Sequence, residues 1–124
     1  MKFIDSNILA YAFYQNEHQE SAQKIIKEGG IITSANLIEA FNIVEYETNR
    51  DIAVSSIKSL LKSHLKIIDL DINFIFQALK RAEKYKQLKF MDLVFYTTAL
   101  TFHCEAIVSN DSDFKNLEIP RQTF

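Results

Sequence analysis

The sequence has few residues that break, loosen or cross-link a chain: among 124 residues there are one proline, two glycines and one cysteine. This scarcity excludes collagen-like, low-complexity and linker-rich proteins. Because Cys104 has no cysteine partner, no disulfide forms within the chain and packing has to stabilise the fold. A hydrophobic fraction of 48% and a charged fraction of 24% suit one globular core. We therefore predict a single domain over residues 1–124.

Long apolar runs are also absent. Crossing a membrane takes roughly 18 or more consecutive apolar residues, and no segment provides them. Near the N-terminus, Asp5 and Asn7 interrupt the apolar stretch and no small-residue cleavage site follows, which is untypical of a secretory signal peptide. The sequence thus predicts a cytosolic protein with no membrane partner.

An excess of positive charge is missing as well. The formal net charge is −2, which gives no general attraction to nucleic acid. One segment differs: residues 80–89, KRAEKYKQLK, hold five cationic side chains and a single glutamate just before Asp92. Such a run is either a solvated helix face or a guide for a nucleic acid backbone. If it guides RNA, we expect the contacts from Lys84, Lys86 and Lys89.

Short apolar runs alternate with longer amphipathic stretches along the chain, a pattern that predicts strands and helices in turn. The strands are expected at Lys2–Asp5, Ile31–Ile32, Leu65–Leu70 and Ala106–Val108. The helices are expected after Ser6, from about Glu17 to Lys27, after Ser34, after Asp51, from Asp71 to about Lys86, and from about Asp92 to His103. Alternation of this kind indicates an α/β protein with a parallel sheet covered by helices on both faces.

Four acidic residues fall where this sheet would place a ligand site. Open parallel sheets bind ligands beyond the carboxyl ends of their strands. Asp5 ends the first strand and Asp111 follows the last. Glu39 lies in the helix after the second strand, and Asp92 opens the helix that leads into the last one. We therefore predict that these four carboxylates converge.

Converging carboxylates need a proton or a cation. Two of them about 4 Å apart repel by roughly 4 kcal/mol at an effective dielectric near 20. Oxygen ligands without a Cys/His cluster favour Mg²⁺ or Mn²⁺ over zinc. Such an ion activates water and neutralises a phosphodiester, so we predict hydrolysis that leaves a 5′-phosphate and a 3′-hydroxyl. Taken singly, Asp92 also fits a role at a helix start, and Asp111 fits a turn.

Four segments, in order and over nearly the whole chain, resemble the motifs of PIN-domain ribonucleases, in particular the VapC-type toxins of toxin–antitoxin systems. These segments are FIDSNILAYAF, SANLIEAFNIV, FMDLVFYTTAL and AIVSNDSDF. The resemblance implies a catalytic and metal-binding set with supporting polar residues. The metal-binding set is Asp5, Glu39, Asp92, Asp111 and, as a fifth acid, Asp113; the supporting residues are Ser6, Asn7 and Ser109. Ser109 stands where many members have Thr, and Leu93 and Phe95 are bulkier than usual, which bears on packing and substrate access.

The same resemblance implies the architecture and the partners. It implies a three-layer α/β/α sandwich with a central parallel sheet of four to five strands, an RNA substrate, a homodimer and an antitoxin protein as partner. Several aromatic side chains either belong to the core or form an apolar face for a dimer or an antitoxin helix. They are Tyr11, Phe13, Tyr14, Phe41 and Tyr46.

Other interpretations are a catalytically inactive PIN scaffold that binds an antitoxin, or a housekeeping PIN nuclease that processes RNA. Retention of all four acids disfavours the inactive scaffold. A receiver-like signalling domain is disfavoured because Asp5 has no acidic neighbour, and a nucleotide-binding domain because no glycine-rich loop exists. The three histidines show no ligand spacing, so we expect none of them in the site.

Overall fold

The computed structural model describes residues 1–124 and contains a five-stranded sheet. The strands are β1 (Lys2–Ile4), β2 (Ile31–Thr33), β3 (Lys66–Ile68), β4 (Ala106–Val108) and β5 (Arg121–Gln122). Their order is β3-β2-β1-β4-β5, and every neighbouring pair is parallel. The predicted parallel sheet of four to five strands is confirmed.

Helices cover both faces of this sheet. They are α1 (Ser6–Tyr11), α2 (Gln19–Glu28), α3 (Ser34–Glu47), α4 (Arg50–Leu61), α5 (Ile72–Arg81) and α6 (Phe90–Thr101). Successive residues of a strand point to opposite faces, and here they enter different cores. Phe3 packs with α5 and α6, whereas Ile4 packs with α1 to α4. The predicted three-layer sandwich is therefore confirmed. None of the helices has the length and hydropathy that crossing a membrane requires.

Three helices begin earlier than predicted. Their starts were expected after Ser6, Ser34 and Asp51, but the capping residues are Asp5, Thr33 and Asn49, whose side chains accept backbone N–H groups of the first turn. In each case an earlier residue with extended backbone already offers a side-chain oxygen, so the helix starts sooner. The cap of α5 is Asp71, as predicted.

The helices on either side of the basic segment also have other bounds. α5 ends at Arg81 rather than near Lys86, and α6 begins at Phe90, two residues before Asp92. Between them the chain turns inward, because Tyr85 and Leu88 are buried in the core. Asp92 thus lies in the first turn of α6, where a helix dipole favours negative charge.

The Gly29-Gly30 pair follows the end of α2 at Glu28, close to the predicted end at Lys27, and allows the chain to enter β2. Gly30 adopts φ +155°, and a Cβ atom there would lie 2.8 Å from the carbonyl oxygen of Lys2. A side chain at this position would push β1 and β2 apart. Strand β5 was not predicted, because the short polar sequence Arg121–Gln122 carries no apolar pattern.

Candidate active site

The carboxyl ends of β1 and β4, the first turns of α1 and α6 and the second and third turns of α3 enclose a cavity of about 330 Å³. Seven of its eight lining residues are polar or acidic: Asp5, Ser6, Asn7, Glu39, Asn42, Asp92 and Asp111, with Ile43 as the eighth. The four acids that the sequence singled out therefore meet in one place. Asp113 is not among the lining residues, although it lies beside two of them.

Asp5 is fixed by two hydrogen bonds at the junction of β1 and α1. Its Oδ1 accepts the backbone N–H of Ser6 at 2.8 Å, and its Oδ2 accepts the hydroxyl of Ser109 at 2.7 Å. The side chain is buried, and burial raises its pKa above the ordinary aspartate value although both donors act in the opposite direction. The charges of Glu39 and Asp111 raise it further.

Ser109 connects the two central strands of the site. Besides donating to Asp5, its Oγ accepts the backbone N–H of Asp111 at 3.0 Å, and its own N–H donates to the carbonyl of Gln122 in β5 at 3.0 Å. The residue is fully buried. The loop that carries Asp111 is consequently held by hydrogen bonds to both Asp5 and the last strand.

Glu39 reaches the cavity from the second turn of α3. Its Oε1 accepts the hydroxyl of Ser6 at 2.6 Å, and Ser6 in turn accepts from the side-chain amide of Asn36 at 2.8 Å. Ser6 and Asn36 are both buried. Asn36 was not predicted as part of the site, since its contact with Ser6 spans 30 residues and no local pattern indicates it.

Asp92 has no hydrogen-bonding side chain to stabilise its charge. Burial raises its pKa to about 6, and the charges of the other acids add to the effect in the order Asp5, Asp111, Glu39 and Asp113. A carboxyl group with this pKa is partly protonated close to neutral pH. A carboxyl pKa raised this far by burial, with a further contribution from neighbouring carboxylates, is typical of functional sites.

Asp111 and Asp113 form a tight acidic group with Asp92. Oxygen atoms of these three side chains lie within 4.8 Å of one another. Asp111 also caps the short 3₁₀ helix Ser112–Phe114, because its Oδ1 accepts the N–H of Asp113 at 2.9 Å. The cap orients Asp111 and brings Asp113 close to it.

No cationic side chain compensates this charge. The ion pairs of the chain all involve other carboxylates, namely Glu17, Glu45, Glu83, Glu105 and Glu118. The cavity therefore combines oxygen donors with an unbalanced negative charge, and a cation or protons have to relieve it.

Two further lining residues were missed. Asn42 and Ile43 follow Glu39 by three and four positions on α3, and Asn42 is exposed. Residues at this spacing lie on the same helix face, so the position of Glu39 alone could have indicated them.

The basic segment contributes less free charge than its composition indicates. The Nζ of Lys84 pairs with Glu118 at 2.9 Å and lies over the ring of Tyr85, and Lys86 pairs with Glu83 at 3.9 Å. Lys89, directly before α6, is exposed and has no carboxylate partner. Of the three lysines proposed from the sequence, only Lys89 has no carboxylate partner, and it directly precedes the helix that carries Asp92.

An apolar groove of about 280 Å³ adjoins the acidic cavity on α3 and α4. Its lining is Leu37, Ile38, Phe41, Asn42 and Ile57. Asn42 lines both depressions. Of the predicted aromatic face, Tyr46 is 87% exposed, whereas the four others are half-buried against the cores.

The family model for the PIN domain matches residues 2–120, and the chain belongs to this family. The resemblance found in the four motifs is thereby confirmed. The sequence matches no curated protein.

Three solved structures share the fold. The Mycobacterium tuberculosis toxin VapC20, described as cleaving the sarcin-ricin loop, superimposes with a TM-score of 0.81 at 12% identity and 96% coverage of both chains. Rickettsia felis VapBC2, bound to a DNA fragment from its promoter, gives 0.75 at 18% identity, covering 99% of this chain and 98% of the other. A Klebsiella pneumoniae toxin-antitoxin complex gives 0.71 at 16% identity, covering 95% and 93%.

Proposed function

We propose that this PIN domain is a metal-dependent endoribonuclease and acts as the toxin of a toxin–antitoxin pair. One observation carries the enzymatic part: four carboxylates from distant parts of the chain line one cavity that contains no cationic side chain. A catalytically inactive scaffold has no need to keep so costly an arrangement.

The donor set fits a hard divalent cation. All the acidic groups offer carboxylate oxygens, and no cysteine or histidine lines the cavity. Three oxygens of Asp92, Asp111 and Asp113 are close enough together to share one ion. Oxygen-only sites of this kind suit Mg²⁺ or Mn²⁺. Asp5 and Glu39, which line the same cavity, would complete the ligand set.

When bound, the cation supplies activation of water and neutralisation of charge on the phosphodiester. The chain's own residues prepare the site for it. Ser109 and Ser6 hold the carboxylates of Asp5 and Glu39 in fixed orientations through their hydroxyls. Asp92, whose pKa burial raises to about 6, is partly protonated near neutral pH and loses that proton when a cation binds. The exposed amides of Asn7 and Asn42 can donate to phosphate and ribose oxygens of the substrate.

The partner proposal rests on the apolar groove beside the cavity. Because Asn42 lines both depressions, one peptide could fill the groove with apolar side chains and place a basic side chain among the carboxylates. A peptide bound in this way would neutralise the charge and exclude RNA, as an antitoxin requires. Two of the structural neighbours are toxin–antitoxin assemblies.

The homodimer remains part of the proposal. Helix α5 presents three large apolar side chains at helical spacing, each more than half exposed: Ile72, Phe76 and Leu79. A second copy would cover this stripe. Light scattering after size exclusion would test it: Phe76→Glu should give a monomer, and an unchanged dimer would place the interface elsewhere.

Cleavage assays on a panel of small RNAs test the enzymatic proposal. We expect cleavage with Mn²⁺ or Mg²⁺, no cleavage with EDTA, and none by Asp5→Asn. Asp69→Asn is a matched control, because Asp69 is exposed and lies outside the cavity. If neither metal nor the Asp5 substitution changes the products, the inactive scaffold is the correct interpretation.

Expression tests the toxin role. The toxin should arrest growth when produced alone, and a small protein encoded beside it should restore growth and bind with the groove residues. A housekeeping nuclease would instead be tolerated and would give defined processing products.

A further inference from the structure

A chain of buried polar side chains leads away from Glu39 into the protein. Glu39 accepts the hydroxyl of Ser6, Ser6 accepts the side-chain amide of Asn36, and Asn36 contacts Thr33 at the end of β2. Thr33 and Asn36 have no solvent exposure, and Ser6 is 3% exposed. A buried polar network of this kind is costly unless every member is satisfied, and here each one has a partner.

The chemistry of the partners fixes the direction of every bond. The Oδ1 of Asn36 accepts the backbone N–H of Thr33 at 2.7 Å. Turning the amide around would place its NH2 group against this N–H, donor against donor. Its Nδ2 therefore faces Ser6 and donates to it. Since the Ser6 oxygen accepts this hydrogen, its single proton is directed to Glu39.

We propose that Asn36 is a positioning residue for Glu39. By donating to Ser6, it fixes the rotation of the hydroxyl so that Ser6 holds Glu39 in the orientation that binds the cation. The inference rests on the proposed role of Glu39 as a metal ligand. Partners of metal ligands typically change metal affinity by about 10- to 100-fold when they are lost.

The two functions of Asn36 use different atoms. Its Oδ1 belongs to the capping box with Thr33 at the start of α3, whereas its Nδ2 serves only Ser6. Capping alone requires only the oxygen. The bond to Ser6 is thus in addition to the helix cap, and the two can be separated by substitution.

Asn36→Asp performs that separation. It keeps the oxygen that accepts from Thr33, removes the donor to Ser6, and offers a new carboxylate that competes with Glu39 for the Ser6 proton. We expect Mn²⁺ affinity, measured by calorimetry on the folded protein, to fall by about 10-fold or more. Asn36→Ser, which is too short to reach Ser6, should give the same loss if the charged variant does not fold.

Thr33→Val is the matched control. It weakens the same capping box but leaves the Nδ2 of Asn36 facing Ser6. We expect a lower melting temperature and a Mn²⁺ affinity within about twofold of the wild type, since supporting partners act on affinity only through the ligands they orient. Equal loss of affinity in both variants would show that only the helix cap matters and would overturn the proposal.

A double-mutant cycle with Ser6→Ala completes the test. If Asn36 acts through Ser6, the Mn²⁺ affinity of Asn36→Asp/Ser6→Ala should equal that of Ser6→Ala alone, whereas independent structural effects would add. An additive result would overturn the proposal. Absence of Mn²⁺ binding by the wild type would instead contradict the proposed function, so the two failures are distinguishable.

Discussion

The carboxylates of the site fall into two groups, which differ in the hydrogen bonds that hold them. In the hydrogen-bonded pair, Asp5 and Glu39, each carboxylate accepts a hydrogen bond from the hydroxyl of a buried serine. Ser109 donates to Asp5, and Ser6 donates to Glu39. In the aspartate cluster, Asp92, Asp111 and Asp113, the hydrogen bond within the group is the cap from Asp113 N–H to Asp111. Buried side-chain donors orient the pair, whereas no side-chain donor reaches a carboxylate of the cluster and only Asp111 accepts a backbone N–H.

The contrast indicates how the work of binding is divided. Orientation of the pair is completed during folding, because its donors are buried and fixed. In the aspartate cluster, burial raises the pKa of Asp92 to about 6, and the charges of Asp5, Asp111, Glu39 and Asp113 raise it further. A bound cation would neutralise these charges. We therefore expect the cluster to contribute most of the free energy of cation binding and the pair to orient the bound cation.

The largest effect is expected from removing one acid on either side. Asp92→Asn and Asp5→Asn should each lower kcat/KM by more than about 100-fold, because ligands matter more than the partners that support them. The two variants should differ in thermal stability. Without metal at pH 7.5, Asp92→Asn should melt at a higher temperature than the wild type, since one repelling charge is lost. Asp5→Asn should melt lower, because its amide nitrogen would face one of the two donors, the Ser6 N–H or the Ser109 hydroxyl.

Thermal unfolding in EDTA and steady-state cleavage measure both quantities. Asp69→Asn should leave them unchanged. A lower melting temperature for Asp92→Asn would mean that the charge of Asp92 does not destabilise the metal-free protein.

A smaller loss is expected from Ser109→Ala, which leaves every acid in place. A buried oxygen of Asp5 loses its donor, which costs about 1–3 kcal/mol of stability, and Mn²⁺ affinity should fall by about 10- to 100-fold. Ser109→Thr keeps the hydroxyl and should restore both. Ser112→Ala, in the same loop but exposed, is the control. Calorimetry would measure the Mn²⁺ affinity and denaturant unfolding the stability. If Ser109→Ala changes neither, the serine hydroxyls do not set the pair apart from the cluster.

The pH dependence follows from Asp92. Its folded-state pKa of about 6 lies above the ordinary value of 3.8, so between these values the folded protein holds more protons than the unfolded chain. The stabilising contribution is therefore complete below about pH 4 and is lost as the pH rises through about 6. In EDTA we expect a higher melting temperature at pH 5 than at pH 7.5 from this group, and a flatter profile for Asp92→Asn.

Mn²⁺ should reverse the trend, because binding displaces the proton and affinity rises with pH. Melting curves at several pH values, with and without Mn²⁺, would record it. The same profile in wild type and Asp92→Asn would exclude this group as the cause.

The smallest effect is expected from the lysines outside both groups. Lys89→Ala should lower the salt dependence of RNA binding by about one unit of slope, whereas Lys84→Ala should change it less because Glu118 already neutralises that charge. Filter binding at several salt concentrations would measure the slopes. Equal slopes for wild type and Lys89→Ala would mean that Lys89 does not contact the RNA backbone.

The sequence predicted the sheet and the position of the acids because both depend on local patterns. Apolar runs indicated four of the five strands, and the rule for strand ends placed Asp5 and Asp111 together. The roles of Asn36 and of the Ser6–Glu39 contact could not be predicted in this way. Ser6 and Glu39 are 33 residues apart, and Ser109 and Asp5 are 104 apart, so only the folded chain brings them into contact.

Strand β5 holds the acidic loop from outside the cavity. Gln122 accepts the N–H of Ser109, and Arg121 donates to the carbonyl of Asn110 at 3.1 Å. Trimming the chain after Pro120 would therefore leave all five acids in the polypeptide and still loosen the loop that carries two of them. Substitutions in β5 are therefore expected to change metal affinity although every acid of the cavity is retained.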